Sequence, residues 1–216
     1  MRPFTYTPRE GTGRPVSSRP HGMTRMGNAC VLEHRPPIRF QSAASGPNVQ
    51  GRRDLDVVVQ DHGLLLIQGD PREALLGKVM QEELGLRIPG PLEASVQQAR
   101  ALLWIAPREW LLIAPRSESS RTRGPLVAQL AATLVAVTDI SDGLACFEVE
   151  GKEASEMLMT GCTLDLRPEA FVPGRVMRTA MAGVPVIVWR PGQAGRFRCF
   201  VDRSWAEHFS SWLLES

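Results

Sequence analysis

Residues 101–106 (ALLWIA) and 110–114 (WLLIA) are two apolar runs of strand length, separated only by Pro107, Arg108 and Glu109. A connector this short lets two extended segments meet only as an antiparallel pair, because a parallel pair needs a crossover of a dozen residues or more. The pattern recurs at 176–182 and 184–190, which flank Gly183; residues 136–140 and 145–149 read as two further strands on either side of a turn at Ser141, Asp142 and Gly143. Such a chain is committed to antiparallel sheet.

Between the paired runs lie segments of helical period. Asp70 and Pro71 read as an N-cap and first-turn proline for a helix over 72–84, with Leu75, Val79, Met80 and Leu84 on one face and Gly85 as C-cap. Pro125 opens a second helix running to about 134, a third spans roughly 153–160 before Gly161, and Ser204 caps a fourth over 205–214. Residues 55–59 and 63–68 read as two strands or a hairpin, 89–91 (PGP) as a break, and 197–201 as a last strand. No parallel βαβ repeat is evident. The expected class is α+β, with antiparallel sheets and helices flanking one side.

The first 53 residues differ in kind. They carry nine Arg against two Glu, a net charge of +7, leaving −5 on 54–216. They also hold seven of the 17 prolines and six of the 19 glycines. Without an apolar period, such a stretch buries too little surface to offset its ordering entropy. It reads as a basic, disordered arm; a targeting peptide is the alternative, but the stretch has no apolar central region. The domain is expected over 54–216, as one body or as lobes of about 54–135 and 136–216.

Composition narrows the chemistry. A total charge of +2 lacks the basic excess of a dedicated nucleic-acid binder. No run of about 18 apolar residues marks a membrane span. The four cysteines form no C-x-x-C, which fits a reduced, cytoplasmic setting. The four histidines are scattered, no H-E-x-x-H occurs, and the glycine spacings match neither a phosphate loop nor a dinucleotide fingerprint. No metal ligands and no catalytic residues are therefore assigned; Cys162, after a helix end, reads as a packed thiol.

Two groups of residues remain. Asp139 and Asp142 bracket a turn, where Asp side chains commonly accept backbone N–H bonds; acid–base work by the pair is the alternative. Trp104 and Trp110, on adjacent strands of the hairpin, read as core aromatics, with a subunit interface as the alternative; Arg108 and Glu109 at its tip, and Trp205 and Trp212 near the C-terminus, are further interface candidates.

These same residues carry a resemblance. Segments 104–111 (WIAPREWL), 139–142 (DISD), 161–166 (GCTLDL), 171–175 (FVPGR, followed by Thr179) and 200–207 (FVDRSWAE) occur in an order and spacing similar to the gamma subunits of heterotetrameric sarcosine oxidases. Ala106 and Arg108 stand where that family usually has Gly and Asp, and Asp202 where Pro is common. The resemblance implies a fold like the folate-binding aminomethyltransferase domains. It also implies a non-catalytic subunit assembled with alpha, beta and delta chains, in a complex that oxidatively demethylates sarcosine to glycine. FAD, FMN, NAD, zinc and tetrahydrofolate then belong to the partners, and this chain binds no cofactor. Two alternatives stay open: a gamma-like subunit serving another N-methyl amine, or a stand-alone folate-binding protein. For the latter, Asp139, Asp142 or Asp165 would supply the carboxylate for the pterin.

Overall fold

The computed structural model describes residues 55–192 and 195–215, together with the backbone of 25–26 and 29–30. Arg25–Met26 (β1) and Ala29–Cys30 (β2) form a short antiparallel pair by themselves. The expectation of a disordered arm otherwise lies outside the described residues.

The remaining strands make two five-stranded sheets, all antiparallel. One contains Leu55–Gln60 (β3), Leu144–Gly151 (β9), Val176–Met181 (β10), Val184–Trp189 (β11) and Arg196–Asp202 (β12), in the order β10-β11-β12-β9-β3. The other contains His62–Gln68 (β4), Ala94–Gln97 (β5), Arg100–Ala106 (β6), Glu109–Pro115 (β7) and Ala136–Asp139 (β8), in the order β5-β6-β7-β4-β8.

The sheets face one another. Leu64, Leu103, Leu111 and Ile113 from one, and Cys146, Ile187, Trp189 and Phe200 from the other, share a single buried cluster. Side chains one residue along point the opposite way and meet helices. Leu65, Leu102, Trp110 and Leu112 pack on Ala74–Leu84 (α1) and Ser119–Gln129 (α2). Phe147, Val149, Val188 and Cys199 pack with Ala154–Met159 (α3) and Ala206–Glu215 (α4). The result is four layers, helices–sheet–sheet–helices. It explains the unbroken apolar runs, since a strand buried on both faces has no polar side to alternate with.

Both hairpins form as read, with positive φ at Arg108 in one turn and at Ala182 and Gly183 in the other. Gly85 closes α1 in the left-handed conformation. Several boundaries differ. Residues 55–59 and 63–68 are not a hairpin: β3 pairs with β9 as an edge strand, whereas β4 sits between β7 and β8 in the other sheet. An apolar run does not specify its partner, so this division has no local signature. It has a consequence for the two sequence halves: each lends one strand to the sheet built mainly by the other.

Helix α1 begins at Ala74, capped by the Glu73 carboxylate, which accepts from the Leu75 N–H at 3.2 Å. Asp70 instead accepts from the Arg72 N–H at 2.9 Å in a preceding turn. Helix α2 begins at Ser119 and keeps Pro125 inside. Burial of Ser119, Thr122 and Leu126, at helical spacing on one face, outweighs the one backbone bond that the proline forgoes. At the last helix the cap is Asp202, which accepts from the Ser204 N–H at 2.9 Å and opens a 3-10 turn before α4. Strand β5 is an addition: its polar sequence (ASVQ) suits an exposed sheet edge and gives no apolar signal.

Candidate functional site

The turn between β8 and β9 lies beside a cleft of about 630 Å³ lined by Arg116, Ser119, Asp139, Ile140, Asp142 and Gly143. Its architecture follows from an Asx turn. The Asp139 carboxylate accepts the Ser141 N–H at 3.0 Å and the Ser141 hydroxyl at 2.5 Å. Ser141 is buried, and its Oγ accepts the Leu64 N–H at 2.8 Å, tying the turn to the middle of β4. Asp142 accepts from the Arg116 guanidinium at 2.7 Å and lies 3.9 Å from Arg203.

Asp139 and Asp142 therefore share one cleft, each committed to a donor of this chain. Asp165 is not brought to it. That residue accepts from the Arg167 guanidinium at 2.8 and 2.6 Å on an exposed turn, and those hydrogen bonds hold its carboxyl down to about pH 2. The carboxylates that a pterin site would draw on are thus used in turns and ion pairs. No histidine lines the cleft, and among the described residues no cluster of three or more His, Cys, Asp or Glu is arranged to hold a metal ion.

Loss of the Ser141 hydroxyl strands the buried Leu64 N–H. Ser141→Ala is expected to cost about 1–3 kcal/mol in urea unfolding, the penalty of an unpaired buried donor, with partial recovery in Ser141→Thr. An unchanged midpoint in the alanine variant would contradict this geometry.

The interface candidates divide. Trp110 is only 1% exposed and its indole N–H donates to the Pro89 carbonyl at 3.1 Å, so it belongs to this chain's own core and cannot itself face a partner. Trp104 is half-buried beside it. At the hairpin tip, Arg108 pairs with Asp70 at 3.0 Å, while Glu109 accepts from Gln68 at 3.0 Å and lies 3.8 Å from Arg178. Trp212 packs on Phe209, with ring centroids 5.4 Å apart, and over Gly161, where an added Cβ would lie 2.4 Å from the indole. Trp205 is 47% exposed and stands edge-on to His208, which makes it the candidate aromatic with most surface to offer.

The three cysteines whose side chains are described sit in surroundings that do not favour a nucleophilic thiolate. Burial pushes the Cys146 thiol up to about 12 and the Cys199 thiol higher still. Burial also raises Cys162, partly offset by its contact with the Leu164 carbonyl at 3.9 Å. That is opposite to what an activated thiolate requires.

Over residues 68–216 the sequence matches the model of the sarcosine oxidase, gamma subunit family. The chain belongs to that family. It is 34% identical to the sarcosine oxidase gamma subunit of an Arthrobacter species over 146 residues, covering 66% of each chain. It is 27% identical to that of Corynebacterium strain U-96 over 197 residues, covering 88% of this chain and 93% of the relative. The match to the Arthrobacter relative thus spans just under two thirds of that protein's length. Among solved structures, a chain of heterotetrameric sarcosine oxidase from Corynebacterium sp. U-96 superposes with a TM-score of 0.70 at 25% identity, over 77% of this chain and 85% of that one. Aminomethyltransferase T of the glycine cleavage system from Bartonella henselae shares the fold, with a TM-score of 0.56 at 15% identity over 76% of this chain and 46% of that one. The α+β arrangement expected from the sequence is therefore that of the gamma family, and it extends to an aminomethyltransferase. Among the described residues, no helix of this gamma-family chain is long and apolar enough to cross a membrane.

Proposed function

We propose that this chain is the gamma subunit of a heterotetrameric sarcosine oxidase and contributes shape to it, with no active site of its own. The observation that carries the reading is the likeness to a chain of the Corynebacterium heterotetramer over 85% of that chain's length. The paired state of Asp139, Asp142 and Asp165 supports the division of labour, because none offers a free base in a cleft. Alpha, beta and delta subunits are the partners, in the cytoplasm. FAD, FMN, NAD, zinc and tetrahydrofolate reside on those partners. Oxidative demethylation of sarcosine to glycine is the reaction of the whole.

Exposed Trp205, with the surface around the 3-10 turn, is the first place to look for a partner contact. Co-expression of the four chains followed by native mass spectrometry tests the proposal. The expected result is one copy of this chain in each assembly, with Trp205→Ala lowering its occupancy. Recovery of the other three subunits as a complete complex without it would overturn the assignment.

A further inference from the structure

Arg190 directly follows strand β11 and is 5% exposed, yet no carboxylate lies within ion-pairing distance of it among the described residues. A buried guanidinium ordinarily has a counter-charge, because leaving its water is costly. Here only one corner is satisfied. Nη1 donates to the carbonyls of Phe171 at 2.5 Å and Pro168 at 3.5 Å, holding the 167–171 turn. The guanidinium also lies over the Phe197 ring, 5.9 Å from its centroid. The rest of the group is unpaired: Nε is buried without an acceptor and out of reach of solvent, and Nη2 donates to no group of the described chain. Nη2 is thus the guanidinium nitrogen left to donate to an oxyanion.

The residues around it agree. Arg190 lines a cleft of about 420 Å³ with Lys152, Ser155, Gly151, Gly195 and Glu150. Lys152 has no ion-pair partner among the described residues, and the Ser155 hydroxyl makes no hydrogen bond there. Glu150, the one acidic group lining the cleft, is already paired with Arg196 at 2.6 Å. The cleft thus gathers two cationic side chains that have no ion-pair partner among the described residues.

We propose that this cleft binds an oxyanion, a carboxylate or phosphate group with one oxygen on Nη2 of Arg190, held from the solvent side by Lys152 and Ser155. Inorganic phosphate and acetate are the probes, titrated into the purified full-length chain against sodium chloride of matched ionic strength, with thermal unfolding as readout. Both oxyanions raise the unfolding midpoint saturably and chloride does not. Lys152→Gln, on the exposed rim, folds normally and weakens the apparent affinity about tenfold, the effect of one charge-assisted contact. Arg190→Gln abolishes the response; because Arg190 also holds the 167–171 turn, Lys152→Gln keeps the test decisive if that variant misfolds. The same titration of the assembled complex separates the sources. A retained response means that a free anion is the ligand, and a lost one means that a carboxylate of a neighbouring subunit fills the cleft. Absence of a saturable shift in the isolated chain, or an identical response from Lys152→Gln, would overturn the proposal. The first arm does not depend on assembly, so its failure is distinguishable from failure of the subunit assignment.

Discussion

Phe200→Ala is expected to lower the stability of this chain by about 3–5 kcal/mol, the usual cost of truncating a buried aromatic. Phe200 lies on β12 at 1% exposure, in the layer where the two sheets meet. Its neighbours across the ladders are Ile187 on β11 and Cys146 on β9, both in that layer too. The strands that position these groups are fixed on their other faces by helices, so the layer has little freedom to collapse into the space left behind. A domain of this kind commonly holds only about 5–15 kcal/mol in total, so a large part of it would go. Urea unfolding of the full-length chain measures the loss, with exposed Trp205→Ala as the control. A loss below about 1 kcal/mol at Phe200 would mean that the sheets do not share a packed layer there.

Gly195→Ala should cost about 2–4 kcal/mol, combining strain at a positive φ with a collision against fixed backbone. Gly195 has φ of +71°, and a Cβ there would lie 2.7 Å from the Gly151 carbonyl oxygen. That oxygen cannot swing aside, because Gly151 N–H donates to the Gly195 carbonyl at 3.0 Å and holds the two segments together. Two other glycines separate the contributions. Gly183 has φ of +80° with open space around its Cβ position, so its alanine variant reports strain alone. Gly192 has neither feature and should tolerate alanine within about 0.5 kcal/mol. Equal tolerance at all three positions would rule out the close approach of the Gly151 and Gly195 backbones.

The paired strands were readable because tight turns leave local marks: apolar runs on both sides, with Arg108, Ala182 and Gly183 at the bends. Partner choice left none. Leu55–Gln60 and His62–Gln68 look alike as apolar runs, and only burial of the second on both faces sends it to an interior place in a different sheet. Polar β5 was silent for the opposite reason, since an edge strand needs no apolar alternation. At the site, the Asx turn of Asp139 was legible because its partner is two residues away. The union of Ser141 with Leu64, 77 residues apart, was not. Trp110 follows the ordinary core use of a large aromatic, while the partners that bury it, α1, α2 and the Pro89 carbonyl, are not marked in the hairpin itself. Arg190 gave no warning at all, because one arginine at a strand end is ordinary until its surroundings are known.

Sarcosine-dependent oxygen uptake, followed with this chain alone and with the co-expressed four-subunit assembly, addresses the shape-giving role most directly. The lone chain should consume no oxygen and carry no flavin absorbance, while the assembly turns over and does so unchanged with Asp139→Asn or Asp165→Asn in this subunit. Turnover by the lone chain, or loss of turnover on substituting either aspartate in an intact assembly, would contradict it.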